Sequence, residues 1–210
     1  MHTADAFCKS GGTGAGTSGR TNVVYFTKES IMLADLKQKR EPVELTDSWH
    51  EDKNNTAMIG AGWMNYISKD GRYIYFIENC EGSDYYMTFD LYKAPVSNPA
   101  DAVKIDSKVS NFRILDNNNV IYLRKQVLYY HDGENKLKFG KNVLQYNLDE
   151  DQRNVMWMER DSGYNMTLYY QPLNQEEKKI ELISDVESYR YYYDDNLENI
   201  YVLDYNIIYK

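Results

Sequence analysis

Few of the residues able to do chemistry in this sequence are grouped as chemistry needs them. Asp149-Glu150-Asp151 sets oxygen donors at alternating positions, as a hard cation such as calcium takes them, but no glycine-bearing twelve-residue loop closed by a glutamate follows. Turn capping is the plainer reading, because Asp70, Asp116, Asp149, Asp151, Asp194 and Asp195 recur at turns, where Asp side chains accept bonds from backbone N–H groups. Gly11 and Gly16 have the spacing of a phosphate-cradling loop, with Ser18 at the hydroxyl position, yet Thr17 stands where the lysine belongs. Residues 1–21 therefore read as a flexible Gly/Ser/Thr-rich tail. No G-x-S-x-G elbow is present. His50, in a polar loop, and His131, beside Asp132-Gly133, read as solvated side chains. Cys80, within Asn79-Cys80-Glu81-Gly82-Ser83, has no basic neighbour in sequence to lower its pKa. The expectation is a chain that is not an enzyme, with no catalytic residue, no metal site and no cofactor.

Composition narrows the partners. With 24 Lys+Arg against 32 Asp+Glu, the net charge of -8 repels nucleic-acid phosphates and anionic lipid headgroups, so no nucleic-acid partner is expected. No run approaches the ~18 apolar residues a membrane span needs, so insertion by this chain is not expected either. Nor does Met1 open a basic start and apolar run of the export type. Two cysteines and three histidines supply neither a zinc ligand set nor a disulfide framework. Tyrosine is the anomaly: 21 residues, beside six Phe, three Trp and only four Pro, a composition that suits strands with half-wet faces.

Those strands recur as a repeat. Four segments share an aromatic-containing strand, a polar turn and a short apolar strand: Trp63 to Phe76, Phe112 to Leu123, Tyr146 to Met158 and Tyr189 to Leu203, with Asn22 to Phe26 as a headless fifth copy. Their second strands carry Tyr25, Tyr75, Tyr122, Trp157 and Tyr201. An independent signature follows: Leu91-Tyr92-Lys93, Leu128-Tyr129-Tyr130, Leu168-Tyr169-Tyr170 and Ile208-Tyr209-Lys210, whose tyrosines lie 37, 40 and 40 residues apart. A turn then leads to Val103-Lys104-Ile105, Leu137-Lys138-Phe139 or Ile180-Glu181-Leu182. The helix-like stretch Lys28 to Lys39 aligns with strands of the repeat and is read as strand. The units are 22–46, 62–105, 109–139, 142–183 and 186–210, the first and last incomplete.

A four-stranded sheet cannot cover both of its own faces, and radial stacking of like sheets covers them. The predicted fold is all-β: a β-propeller, or a partial propeller arc, of four-stranded antiparallel blades. A sandwich also has evenly spaced strands but does not require the same two motifs in every unit.

Ser68-Lys69-Asp70-Gly71-Arg72-Tyr73-Ile74-Tyr75-Phe76 resembles the S-x-D-G-x-x-I-x-[YF] core of TolB-like, WD40-like bacterial propeller repeats, and Leu91-Tyr92-Lys93 resembles the segment that follows it there. The resemblance runs from Asn22 to Lys210 and is strongest in the second unit; later units replace Asp-Gly by Asn118-Asn119 or Asp151-Gln152. It implies a surface or envelope module like the tyrosine-rich propellers of Gram-positive bacteria, on the outer side of the membrane. The expected function is non-catalytic binding or scaffolding. The alternative is the substrate-gating propeller of a larger hydrolase, as in prolyl-oligopeptidase-like peptidases, with the catalytic domain outside this chain.

Binding residues in a propeller concentrate on first strands and the loops before them. The candidates are Trp63, Tyr66, Asn111, Phe112, Arg113, Tyr146, Tyr189 and Arg190. Arg113 and Arg190 each follow the aromatic of a first strand, and in an acidic chain such a pair suits an anionic group. The tyrosine pairs, among them Tyr129-Tyr130 and Tyr169-Tyr170, and the Tyr191-Tyr192-Tyr193 run should send alternate rings into inter-blade packing and outward. A protein, peptide or glycan is the expected partner. The chain is expected to be an arc of a longer protein, self-associating through incomplete end blades at Val23 to Phe26 and Ile207 to Tyr209.

Overall fold

The computed structural model describes residues 22–26, 30–35, 37, 41–46, 66–82, 87–175, 178–186, 190–197, 199–204 and 207–209. The chain is all-β, a partial propeller arc of antiparallel blades, and it divides into two compact units, Met1–Asn118 and Asn119–Lys210. The division falls inside the third repeat. The tail 1–21, His50, Trp63 and Tyr189 lie outside the described residues.

In the first unit β1 (Asn22–Phe26), β2 (Ile31–Asp35) and β3 (Val43–Thr46) form one sheet, so the described middle of the helix-like stretch, Ile31–Asp35, is strand. Strands β4 (Tyr66–Ile67), β5 (Tyr73–Glu81), β6 (Thr88–Pro95) and β7 (Val103–Ile114) pair consecutively. β7 joins two strands that the sequence separates, 103–105 and 109–114, with Lys108 in the left-handed region (φ 57) between them. In the second unit β8 (Val120–Arg124), β9 (Val127–His131) and β10 (Lys136–Gly140) pair in order. A four-stranded blade follows: β11 (Val143–Leu148), β12 (Asn154–Arg160), β13 (Met166–Pro172) and β14 (Ile180–Val186). The last sheet is β15 (Arg190–Tyr193), β16 (Ile200–Asp204) and β17 (Ile207–Tyr209).

One turn joins first to second strand throughout. Gly71 N donates to Ser68 O, Asn118 N to Leu115 O, Gln152 N to Asp149 O and Leu197 N to Asp194 O, at 2.9 to 3.0 Å. Each donor has a positive φ: 75° at Gly71, 66° at Asn118, 54° at Gln152 and 59° at Leu197. Only Gly71 adopts that region without steric cost.

These bonds fix the register, and a one-residue slip would exchange the two faces of a strand. Opposite Tyr92, Tyr129 and Tyr169 stand Phe76, Tyr122 and Trp157, and the pairs stack at 5.5, 5.5 and 5.6 Å. The series Tyr75, Tyr122, Trp157, Tyr201 read from sequence therefore mixes two faces: Tyr75 pairs with Lys93 and Tyr201 with Tyr192.

Both faces are used in packing. In the first unit Leu33 packs with Ile74, Phe76 and Ala94. In the second, Met156, Met158, Met166, Leu168 and Val186 form a core with Leu197, joined by Tyr191 and Ile200 of the last sheet. The other face of the β11–β14 blade carries a run of rings, Tyr130–Phe139–Trp157–Tyr169, with successive centroids 6.0, 6.0 and 5.6 Å apart. Strands β3, β7, β10 and β14 all slip register against the strand before them, which at the edge strands β3, β10 and β14 twists the edge away from flat pairing; β17 pairs with β16 without a slip.

Candidate functional site

Asp149, the first carboxylate of the suggested cation loop, holds its turn instead. Asp149 accepts from Arg153 N (2.8 Å), Asn154 N (2.9 Å) and Asn154 Nδ2 (2.7 Å). Asp194 takes the same position, accepting from Asn199 N and from Asn199 Nδ2. In the β4–β5 turn a hydroxyl replaces the carboxylate: Ser68 Oγ accepts from Tyr73 N and donates to Asp70. Asp70 also accepts from Arg72 N and Asn118 Nδ2. The Ser68 hydroxyl first, then the Arg72 backbone N–H and the Asn118 amide, hold its carboxyl well below the ordinary range. Among the described residues no group of three or more His, Cys, Asp or Glu is placed to bind a metal.

Two other reactive side chains stand among the described residues, Cys80 and His131. Burial, with Asp90 second, pushes the Cys80 thiol up to about 12, so it stays protonated and weakly nucleophilic. His131 Nδ1 accepts from Gly133 N at 3.0 Å. Asp132 beside it accepts from the backbone N–H of Asn135 first, then that residue's amide and Glu134 N, which lowers its carboxyl to about 2.

A lysine closes each complete aromatic ladder. Lys104, Lys136 and Lys179 place their ammonium groups 5.2, 4.1 and 3.5 Å from the ring centres of Tyr92, Tyr129 and Tyr169. Two ladders add a carboxylate: Asp90 accepts from Lys104 at 2.8 Å and from Asn79, and Glu159 accepts from Lys179 and from the Trp157 indole N–H, both at 2.8 Å. Of these lysines only Lys104 stood out in the sequence, in the strand Val103-Lys104-Ile105; a lysine 7 to 12 residues after Tyr92, Tyr129 and Tyr169 was the available signal.

The candidate binding residues separate. Phe112 is 5% exposed and meets Phe89 edge to face at 5.8 Å, so its ring is core. Tyr146 is half-buried opposite Trp157. Arg113 is exposed on β7. Tyr66 and Arg190 lie on β4 and β15. The turn register also corrects the match between the arginines: Arg113 stands two residues before its turn residue Leu115, whereas Arg190 stands four before Asp194. The position shared with Arg113 is held by Tyr66, Asn147 and Tyr192. Of the Tyr191-Tyr192-Tyr193 run, the outer two face the neighbouring blade. Asn147 Nδ2 donates to the Tyr191 hydroxyl (2.5 Å), and the Tyr193 hydroxyl donates to Asn147 Oδ1 (2.7 Å). Burial pushes the Tyr191 hydroxyl up to about 12. Tyr192 between them is 62% exposed.

No protein-family model and no curated protein matches the sequence. Among solved structures, a eukaryotic initiation factor is 11% identical with a TM-score of 0.50, over 86% of this chain and 46% of that one. TolB from Acinetobacter baumannii is 16% identical with a TM-score of 0.44, over 86% of this chain and 45% of that one. An oligogalacturonate lyase in complex with manganese is 11% identical with a TM-score of 0.49, over 86% and 55%. The chain spans about half the length of these structures. At such identities the likeness concerns the fold alone.

Proposed function

We propose that the chain is a non-catalytic binding or scaffold module of a bacterial surface or envelope protein, with a protein, peptide or glycan as partner. One observation carries the reading. The repeat position two residues before the turn holds unlike side chains, Tyr66, Arg113, Asn147 and Tyr192, and two of them, Arg113 and Tyr192, stand exposed on first strands. A position that varies from blade to blade without disturbing sheet or turn is where a repeat protein can change its ligand. Arginine suits an anionic group, and tyrosine gives rigid contact area with a polar tip.

Peptide and glycan arrays probed with the chain, and then with Arg113→Ala and Tyr192→Ala separately, test this. The expected result is a binder weakened by at least one substitution with the melting temperature unchanged. Binding indifferent to both substitutions would remove the assignment of the surface, and turnover of any arrayed compound would overturn the non-catalytic reading.

A further inference from the structure

At one end of the second unit, three turns bring cations together. Gln126 O, in the β8–β9 turn, accepts from Val143 N at 2.8 Å, and Asn142 O accepts from Arg160 N at 3.1 Å. These bonds set the β8–β9 turn, the β10–β11 turn and the end of β12 side by side, and with them Lys125, Lys141 and Arg160. Lys125 and Lys141 are exposed and Arg160 is half-buried. Among the described residues no carboxylate forms an ion pair with any of the three. Of the acids at this end, Glu159 holds Lys179 and the Trp157 indole N–H, and Asp161 Oδ1 accepts from Gly163 N and Asn165 N. Asp185 is exposed on the outer strand β14. In a chain of net charge -8, this end presents an excess of positive charge.

The β12–β13 turn adds an aromatic side chain. Tyr164 is 71% exposed, and the Arg160 guanidinium lies 5.2 Å from its ring centre. Its φ of 69° puts a bulky residue in the left-handed region, at a steric cost that an exposed ring does not offset by burial. Lys125 and Gln126 form a two-residue hairpin turn with φ of 49° and 60°, positions that suit asparagine and glycine. Strain kept at solvent-facing side chains points to a use outside the fold. We propose that this end of the second unit is a docking surface for an acidic segment of a partner protein, its carboxylates meeting Lys125, Lys141 and Arg160 and an apolar side chain among them covering Tyr164. The planar fork of arginine takes a carboxylate through two bonds, and tyrosine and arginine are the side chains that dominate binding energy at protein interfaces. A neutral glycan would bury these cations without partners, at a desolvation cost that a run of carboxylates avoids. This inference stands apart from the Arg113 and Tyr192 surface and does not depend on it.

The test uses the 210-residue chain and a labelled synthetic peptide rich in Glu and Asp around one Phe, followed by fluorescence anisotropy, beside the same peptide with Gln and Asn in place of the acids. The expected result is saturable binding of the acidic peptide, weakened about tenfold or more in the neutral one. Lys125→Gln together with Lys141→Gln should weaken the acidic peptide about fivefold or more. Arg153→Gln, at the opposite end of β12, should leave it unchanged. Tyr164→Gly should weaken binding by a similar factor without lowering the melting temperature, because it removes the ring and the strain together. No saturation up to about 1 mM, the weak end of specific recognition, overturns the proposal. So does an equal loss with Arg153→Gln, which would make the attraction one of overall charge, and so does binding that Tyr164→Gly leaves intact. Tighter binding of an alginate oligosaccharide than of the peptide would assign the cations to an anionic glycan and overturn it as well. Peptide binding lost with Arg113→Ala or Tyr192→Ala but retained with the paired lysine substitutions would place the peptide on the other surface, with the same consequence.

Discussion

The Lys179 ammonium lies 3.5 Å from the ring centre of Tyr169 and 5.2 Å from that of Trp157, beside two rings whose stack continues to Phe139 and Tyr130. The same ammonium donates to Glu159, which also takes the Trp157 indole N–H. One side chain thus bridges two stacked rings and neutralises the acid beside them. Lys179→Met keeps the apolar stem and removes the charge. It should cost about 1 kcal/mol and lower the melting temperature by roughly 2–4 °C for a chain of this size. An unchanged thermal melt by circular dichroism would show that the ammonium is a bystander.

Gly140 is required by that column for its size. A Cβ there would come within 2.5 Å of Glu159 Oε1 and press on the Trp157 indole nitrogen. Since Trp157 is fully buried, the ring would have to move. Gly140→Ala should destabilise by about 1–3 kcal/mol. Urea titration read by tryptophan emission would check it, with an earlier midpoint and a red-shifted native spectrum expected.

The acid limb of stability follows from two turn carboxyls. Asp132 is lowered from 3.8 to about 2 by the Asn135 and Glu134 bonds, and Asp70 is lowered further by Ser68, Arg72 and Asn118. A depressed folded-state value favours folding once the carboxyl is ionised. This contribution is complete above the ordinary carboxylate range and is lost as pH falls through the folded-state value. Melting temperature should therefore fall below pH 4 and continue to fall toward pH 2. Asp132→Asn should flatten part of that slope; a slope identical to the parent's would rule out this turn as a contributor.

What was legible in the sequence was whatever depends on residue type alone. Tyr92, Tyr129, Tyr169 and Tyr209 marked the third strands, and Asp149 and Asp194 marked turns, because those side chains favour such places regardless of tertiary context. Faces were harder, since they turn on counting single residues. Aligning Arg113 with Arg190 through the aromatic before each placed them together, but the bonds to Leu115 and Asp194 set the count and separate them by two. The join of 103–105 and 109–114 into one strand rests on a left-handed Lys108, a conformation with no sequence mark in a non-glycine residue. Phe112 passed for a ligand contact because an aromatic on a first strand serves packing or binding equally well until its neighbour, Phe89, is known.

The left-handed turn position gives a prediction whose sign depends on the side chain that occupies it. Gln152 and Leu197 have φ of 54° and 59° where Gly71 has 75°. A non-glycine residue pays about 1–2 kcal/mol in this region, and glycine returns roughly half of that through its freer unfolded chain. Gln152→Gly, on a partly exposed turn, should therefore gain up to about 1 kcal/mol. Leu197 relieves the same strain when changed to glycine, but its side chain is 6% exposed and packs with Met156, Met158 and Leu168. Removing a buried leucine costs about 2–5 kcal/mol, more than the backbone returns, so Leu197→Gly should lose stability. Chemical denaturation of both variants decides the matter. If they shift the midpoint in the same direction, backbone strain and core packing are not the two terms in competition at this turn.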